Sequence, residues 1–124
     1  MPQYNNLYGG QEGILASLNE EGVLDLAIQV GPTTPRGSKM FAEAMKTVGP
    51  EVTAIRTSWG TKMPDNLNTF NRLLKEGKLF KEAARGTFTG KMAKRYGYSE
   101  VEIDAETFEG FFGEYTHVSV IFRR

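Results

Sequence analysis

Cysteine is absent and histidine occurs once, at position 117. The first absence excludes disulfide scaffolds, Cys-ligated zinc and thiol nucleophiles, and it leaves the redox compartment open. The second excludes His-pair metal sites and HNH-like nucleases. No apolar run approaches the roughly 18 residues that read as a membrane span. The opening MPQYNNLYGG has neither the basic nor the apolar region of a signal peptide, so export requires other sequence to direct it. What is present is globular in character: 124 residues, 40% hydrophobic and 11% aromatic. A single domain of that size buries about two-thirds of its unfolded surface and needs no staple.

Charge is balanced in total and uneven along the chain. Fifteen basic residues meet fifteen acidic ones. Yet the stretch from Arg72 to Arg95 carries eight bases against Glu76 and Glu82, and Glu100 to Glu114 carries six acids and no base. The basic stretch is interleaved with Phe80 and Phe88 and followed by Tyr96 and Tyr98, a composition that suits a phosphate backbone. Two opposed charged segments, or two solvated faces, account for it as well. Juxtaposed acidic and basic faces also suit a protein partner of complementary charge.

Residues 1–12 read as a loose N-terminal arm and 13–124 as one α+β domain. Gly13–Leu18 and Val23–Val30 form strands around the four-residue loop Asn19-Glu20-Glu21-Gly22. In the second strand Leu24, Leu26, Ile28 and Val30 share a face. GPTTPRG (31–37) is a loop, after which Ser38 is placed to cap a helix carrying Met40, Phe41, Ala44, Met45 and Val48. Gly49-Pro50 stops it. Val52–Trp59 is a β-branched strand. A helix then begins at Asp65 or Asn66, buries Leu67, Phe70, Leu73 and Leu74, and ends at Gly77. Leu79–Tyr96 has helical periodicity with Leu79, Phe80, Ala83, Ala84 and Phe88 apolar. Gly86 and Gly90 weaken its middle, so a break is expected with Thr87 or Thr89 capping the second half. Val101–Ala105 and Thr116–Arg123 alternate as strands. The expected order is β-β-α-β-α-α-β-β, three to four helices with a mostly antiparallel sheet.

The segments RGSKMF (36–41), IRTSW (55–59), NLNTFN (66–71), AARGTFTGKMAKRYGY (83–98) and GEYTHVSVIF (113–122) resemble the C-terminal tails of bacterial polymorphic toxins. These are the variable effector ends of Rhs and contact-dependent-inhibition proteins. The resemblance runs over about residues 20–123, and Thr87-Phe88-Thr89-Gly90-Lys91 is its most distinctive piece. It implies a domain exported as the tail of a larger protein, acting in the cytoplasm of a target bacterium and blocked by a cognate immunity protein. Such tails are commonly nucleases or NAD-using enzymes. No catalytic residue carries over from the resemblance.

Three readings of function follow from the residues. The first is an RNA-cleaving enzyme working without metal or cofactor. It needs a base for the 2′-OH, an acid for the leaving oxygen and donors for the phosphorane. Alternation puts His117, Ser119, Ile121 and Arg123 on one face of the last strand and Thr116, Val118, Val120 and Phe122 on the other. If the preceding strand pairs with it, Glu102 or Asp104 approaches His117 and Arg123. That gives a Glu/His/Arg set like those on the small sheets of microbial ribonucleases. Lys91 near a helix start adds phosphate binding, and Arg36, Arg85, Thr87, Thr89 and Trp59 are the substrate-binding candidates. The competing roles are ordinary: a polar face meeting water, Thr87 and Thr89 as caps, Trp59 in the core, Asn66 as a cap and Asn71 in solvent. The second reading transfers ADP-ribose from NAD through Arg36, Thr57-Ser58 and Glu100 or Glu102. The third is a non-catalytic binding module using the basic 72–95 surface. A monomer is expected under each.

Gly86 and Gly90-Lys91 do not make a phosphate-binding Walker loop, because one intervening residue is missing and Met92 replaces the magnesium-ligating hydroxyl. Ala27-Ile28-Gln29 likewise lacks the charges of a restriction-type nuclease.

Overall fold

The computed structural model describes residues 3–4, 13–29, 36–48, 51–61 and 64–124. The chain has two compact units, Met1–Ile55 and Arg56–Arg124. Both combine helices with strands, and every strand pair of described register is antiparallel. The chain is therefore α+β with a mostly antiparallel sheet.

In the first unit, β1 (Gln3–Tyr4), β2 (Gly13–Leu18) and β3 (Val23–Gln29) form a meander. Gln3 and Tyr4, inside the segment read as an arm, pair with Ser17 and Ala16. The rest of 1–12, Val30, most of GPTTPRG and the Gly49-Pro50 stop lie outside the described residues. Leu18 pairs with Leu24 across the loop, where Asn19 Oδ1 accepts the N–H groups of Glu21 and Val23 at 2.9 Å. Gly22, at φ +82°, ends the loop in the left-handed region, and a Cβ there would lie 2.6 Å from the Glu51 carbonyl oxygen. The Gly22 carbonyl accepts the Thr53 N–H at 2.8 Å.

Helix α1 (Gly37–Val48) packs on β2 and β3 through Met40, Phe41, Ala44 and Met45, the stripe expected from spacing. Its start differs from expectation. The Arg36 carbonyl accepts the N–H groups of Lys39 and Met40, so the helix begins a residue before Ser38 and Ser38 lies inside its first turn.

The second unit takes over within β4 (Ala54–Gly60), whose buried and exposed residues alternate. Ile55, Thr57 and Trp59 are buried, whereas Arg56 and Ser58 are exposed, which settles the face of this strand. Helix α2 (Pro64–Lys75) opens on a proline, whose missing N–H costs nothing at a first helical position. Asn66 is therefore not its cap. Its amide crosses to Thr89, donating to Oγ1 at 2.9 Å and accepting the backbone N–H at 3.3 Å.

The expected break divides α3 (Phe80–Arg85) from α4 (Phe88–Arg95). Thr87 caps α4 by accepting the Gly90 N–H at 3.0 Å. Gly90 is more than a weak point in a helix. A Cβ on it would stand 2.1 Å from the Ala84 carbonyl oxygen and 2.8 Å from Arg85 Cα, so its bareness lets α4 approach the end of α3. Of the apolar positions that give 79–96 its periodicity, Ala83 and Ala84 are buried, whereas Leu79 and Phe88 are exposed.

Three strands, β5 (Glu100–Ile103), β6 (Glu109–Phe111) and β7 (Glu114–Arg123), complete the unit. β5 ends before Ala105 because the Asp104 carbonyl accepts both the N–H and the hydroxyl of Thr107, closing a 3-10 turn. β7 lies between β4 and β5 and also pairs with β6. Strict alternation along β7 fails at one point. Glu109 pairs with His117 but Gly110 pairs with Tyr115, so Thr116 is an extra residue, a β-bulge. The bulge shifts side-chain parity: Val118, Val120 and Phe122 are buried as expected, whereas Thr116 is exposed. Tyr115 turns in to meet Phe70, Phe80 and Phe108, with ring centroids 5.1 to 6.4 Å away. Asn71, expected in solvent, braces the bulge. Its Nδ2 donates to the Tyr115 carbonyl and its Oδ1 accepts the Tyr115 N–H, each at 2.9 Å.

Gly90→Ala is expected to destabilise the protein by about 3 kcal/mol, because backbone rather than a flexible side chain must move. Urea unfolding followed by circular dichroism measures this, and a loss below about 1 kcal/mol contradicts the close approach.

Candidate functional site

The outward face of the second unit's sheet carries three of the residues singled out from sequence, Glu102, His117 and Arg123. Glu102 pairs with Ile121 and Glu100 with Arg123 in the β5–β7 register, so Glu102 shares the face of Ile121 and Arg123. Arg123 Nε donates to Glu102 Oε2 at 2.7 Å. Both side chains are about half exposed, and such a pair contributes roughly 0.2–1 kcal/mol. The pair is therefore mainly a mutual neutralisation, and neither charge stands alone for a substrate.

His117 is half-buried on the same face, four residues from Ile121 and six from Arg123. At the usual rise these separations are roughly 13 and 20 Å along the strand. The structure thus brings Glu102 to Arg123 but brings neither to His117. The expected Glu102/His117/Arg123 set is not assembled, because four strand residues separate the carboxylate's row from the imidazole's.

Other neighbours surround His117. Its Nε2 lies 3.4 Å from Ser119 Oγ, and Ser119 Oγ lies 2.7 Å from Ser58 Oγ on β4. Gly60, two residues beyond Ser58, faces His117: a Cβ there would lie 4.0 Å from Nδ1. Ser58 against Ser119 and Gly60 against His117 is the order of antiparallel neighbours. Gly60 puts no side chain against that flank of the ring.

On the other flank stands Glu109, the register partner of His117 across the bulge. Directly opposed positions hold their Cβ atoms about 5 Å apart. No ion pair joins the two among the described residues. Glu109 is exposed, and its carbonyl accepts the Thr116 hydroxyl at 3.4 Å. Sequence reasoning missed this carboxylate. The strand EGF is three residues long with a central glycine and shows no alternation, and only the bulge register puts Glu109 opposite His117.

The remaining candidates are dispersed. Thr87 is fully buried, accepting from Gly90 and donating to the Ala84 carbonyl at 2.7 Å, so its hydroxyl is committed within the fold. Thr89 is buried and bonded to Asn66. Trp59 is a core residue 5.9 Å from Phe70, and its buried Nε1 has no hydrogen-bond partner. Arg85 is half-buried, with Nε donating to the Ser99 carbonyl at 3.1 Å. Lys91 is exposed on the first turn of α4, where its N–H reaches the Thr87 carbonyl. Arg36 is exposed and belongs to the first unit. For the NAD reading, Thr57 and Ser58 point to opposite sides, the first into the core.

No ion pair among the described residues joins the basic 72–95 stretch to the acidic 100–114 stretch; Arg72 instead pairs with Glu76 within α2's last turn at 2.7 Å. Among the described residues no group of three or more His, Asp or Glu is placed to hold a metal ion, and no helix is long and apolar enough to cross a membrane. No family model matches the chain, and neither a curated protein nor a solved structure matches it.

Thr87→Val is expected to cost about 2 kcal/mol, since it keeps the shape and removes a cap and a buried hydrogen bond. Chemical denaturation provides the check, and an unchanged midpoint would free Thr87 for a role in binding.

Proposed function

We propose that this chain is an RNA-cleaving effector domain that works without metal, with His117 and Glu109 as its acid–base pair. The carrying observation is their juxtaposition: a half-buried imidazole and an exposed carboxylate, opposed across the β6–β7 bulge, on a polar face with Ser119 and Ser58 alongside. Glu109 takes the proton of a ribose 2′-hydroxyl, and the 2′-oxygen attacks phosphorus. The P–O5′ bond breaks as protonated His117 delivers its proton to the departing 5′-oxygen. The products are a 2′,3′-cyclic phosphate and a 5′-hydroxyl. Ser119, whose hydroxyl lies against His117 Nε2, orients the ring.

This reading replaces Glu102 with Glu109 as the carboxylate and needs no cofactor. It sits within the resemblance to polymorphic-toxin tails: export by a larger protein, action in the cytoplasm of a target bacterium, and inhibition by an immunity protein.

Purified RNA incubated with residues 1–124 in excess EDTA is expected to yield fragments with 2′,3′-cyclic phosphate ends. His117→Ala should slow cleavage about 100-fold or more and Glu109→Gln at least about 10-fold, while Glu102→Gln stays within about 3-fold. Intact RNA with the folded wild-type protein contradicts the proposal. Salt-dependent RNA binding without cleavage would favour the binding module instead.

A further inference from the structure

Helix α4 divides into a buried side and an exposed side. Thr89, Gly90, Met92 and Ala93 are buried, whereas Phe88, Lys91, Lys94 and Arg95 are exposed. At about 100° per residue the exposed positions fall within an arc of roughly 120°. Residues 88, 91 and 95 follow one another at steps of three and four, and 94 lies three beyond 91. Side chains at those steps are neighbours on a helix surface, so one aromatic ring and three cations share a single face.

Nothing acidic interrupts that face. The sequence holds no Asp or Glu between Glu82 and Glu100. Lys91, Lys94 and Arg95 make no ion pair among the described residues. The contact that joins α2 to this helix, Asn66 to Thr89, lies on the buried side. Asp65, the acid beside Asn66, is exposed and also in no ion pair among the described residues. Helix stability accounts for Lys94 and Arg95, which complement the carbonyl end in the last turn. It does not account for Lys91, because a cation in the first turn opposes the dipole.

Phe88 narrows what fits. It is 40% exposed and makes no ring contact among the described residues. A single nucleic-acid strand matches both features, with phosphates for the cations and an unstacked base for the ring. A membrane surface asks for an exposed apolar helix side, and that of α4 is buried. An acidic peptide answers the cations alone.

We infer that the Phe88/Lys91/Lys94/Arg95 face of α4 docks a single nucleic-acid strand, holding its phosphates and stacking one base. This site shares no residue with the pair His117 and Glu109, and it binds whether or not they cleave RNA.

Fluorescence anisotropy of a labelled oligothymidylate of about 12 nucleotides reads binding without chemistry. The probe lacks the 2′-hydroxyl that the proposed cleavage needs, so failure of either claim is seen separately. The wild type is expected to bind, with log K falling by about 2 per decade of salt, the slope of three contacts to a single strand. Lys91→Ala/Lys94→Ala/Arg95→Ala should remove most of that slope and weaken binding at least about 10-fold at about 50 mM salt. Phe88→Ala should weaken it about 5-fold or more and leave the slope unchanged, as loss of a stacking contact does. Lys75→Ala/Lys78→Ala/Lys81→Ala removes the same charge from outside α4 and should stay within about 2-fold. Both triple variants replace only exposed side chains, so they keep the wild-type circular dichroism. A wild type that does not bind at about 50 mM salt overturns the inference, as does equal weakening by the two triple variants. Polyglutamate that displaces the probe as well as unlabelled oligothymidylate does also overturns it, and assigns the face to an acidic protein.

Discussion

The geometry of the second unit depends on how one side-chain amide treats the backbone of Tyr115. β7 runs for ten residues, with β5 along its C-terminal half and β6 along its N-terminal half. Asn71 gives Tyr115 a donor and an acceptor, the two bonds that a neighbouring strand would supply. It acts as a rung of sheet borrowed from α2. With Tyr115 anchored and its ring among Phe70, Phe80 and Phe108, the next core residue is Val118, two intervening residues away instead of one. The bulge at Thr116 is the way the chain accommodates both anchors. Its consequence is chemical, because Thr116 and His117 turn away from the core together, opposite Glu109.

The proposed chemistry draws on that arrangement. The outward face holds a histidine that Ser119 reaches and no ion pair among the described residues neutralises, with Ser58 bonded to Ser119, whereas the charged pair Glu102–Arg123 further along cancels itself. The hairpin beyond the bulge projects Phe111 and Phe112 into water, and the start of α3 adds Leu79. Burying these side chains inside the unit would have strengthened its core.

Much of the fold was legible because its signals are local. Hydrophobic periodicity placed α1 and α2, the Gly86–Gly90 region marked the break between α3 and α4, and Thr87 was a recognisable cap. Alternation assigned the faces of β3 and of β7 beyond residue 117. What escaped was set by tertiary contact. Asn66 and Asn71 look like a cap and a surface residue because nothing local reports that their amides are used by Thr89 and Tyr115. Gly90 reads as a helix weakness, whereas its missing Cβ is demanded by Ala84. The candidate site suffered most. His117 and its face follow from period-two alternation, but its acidic neighbour depends on a bulge, and one extra residue moves the pairing past any sequence pattern. Glu102, on the correct face, lies four strand residues too far along.

The juxtaposition of positions 109 and 117 is therefore the central structural claim, and the absence of cysteine makes it directly measurable. Replacing Glu109 and His117 together by cysteine introduces the chain's only two thiols, at register partners close enough for a small backbone adjustment to bring them into disulfide range. Mild oxidation of the folded protein should close an intramolecular 109–117 bridge in essentially every molecule, detected by peptide mapping under non-reducing conditions. A folded variant whose two thiols remain free would contradict the register and remove the acid–base pair from the face of β7.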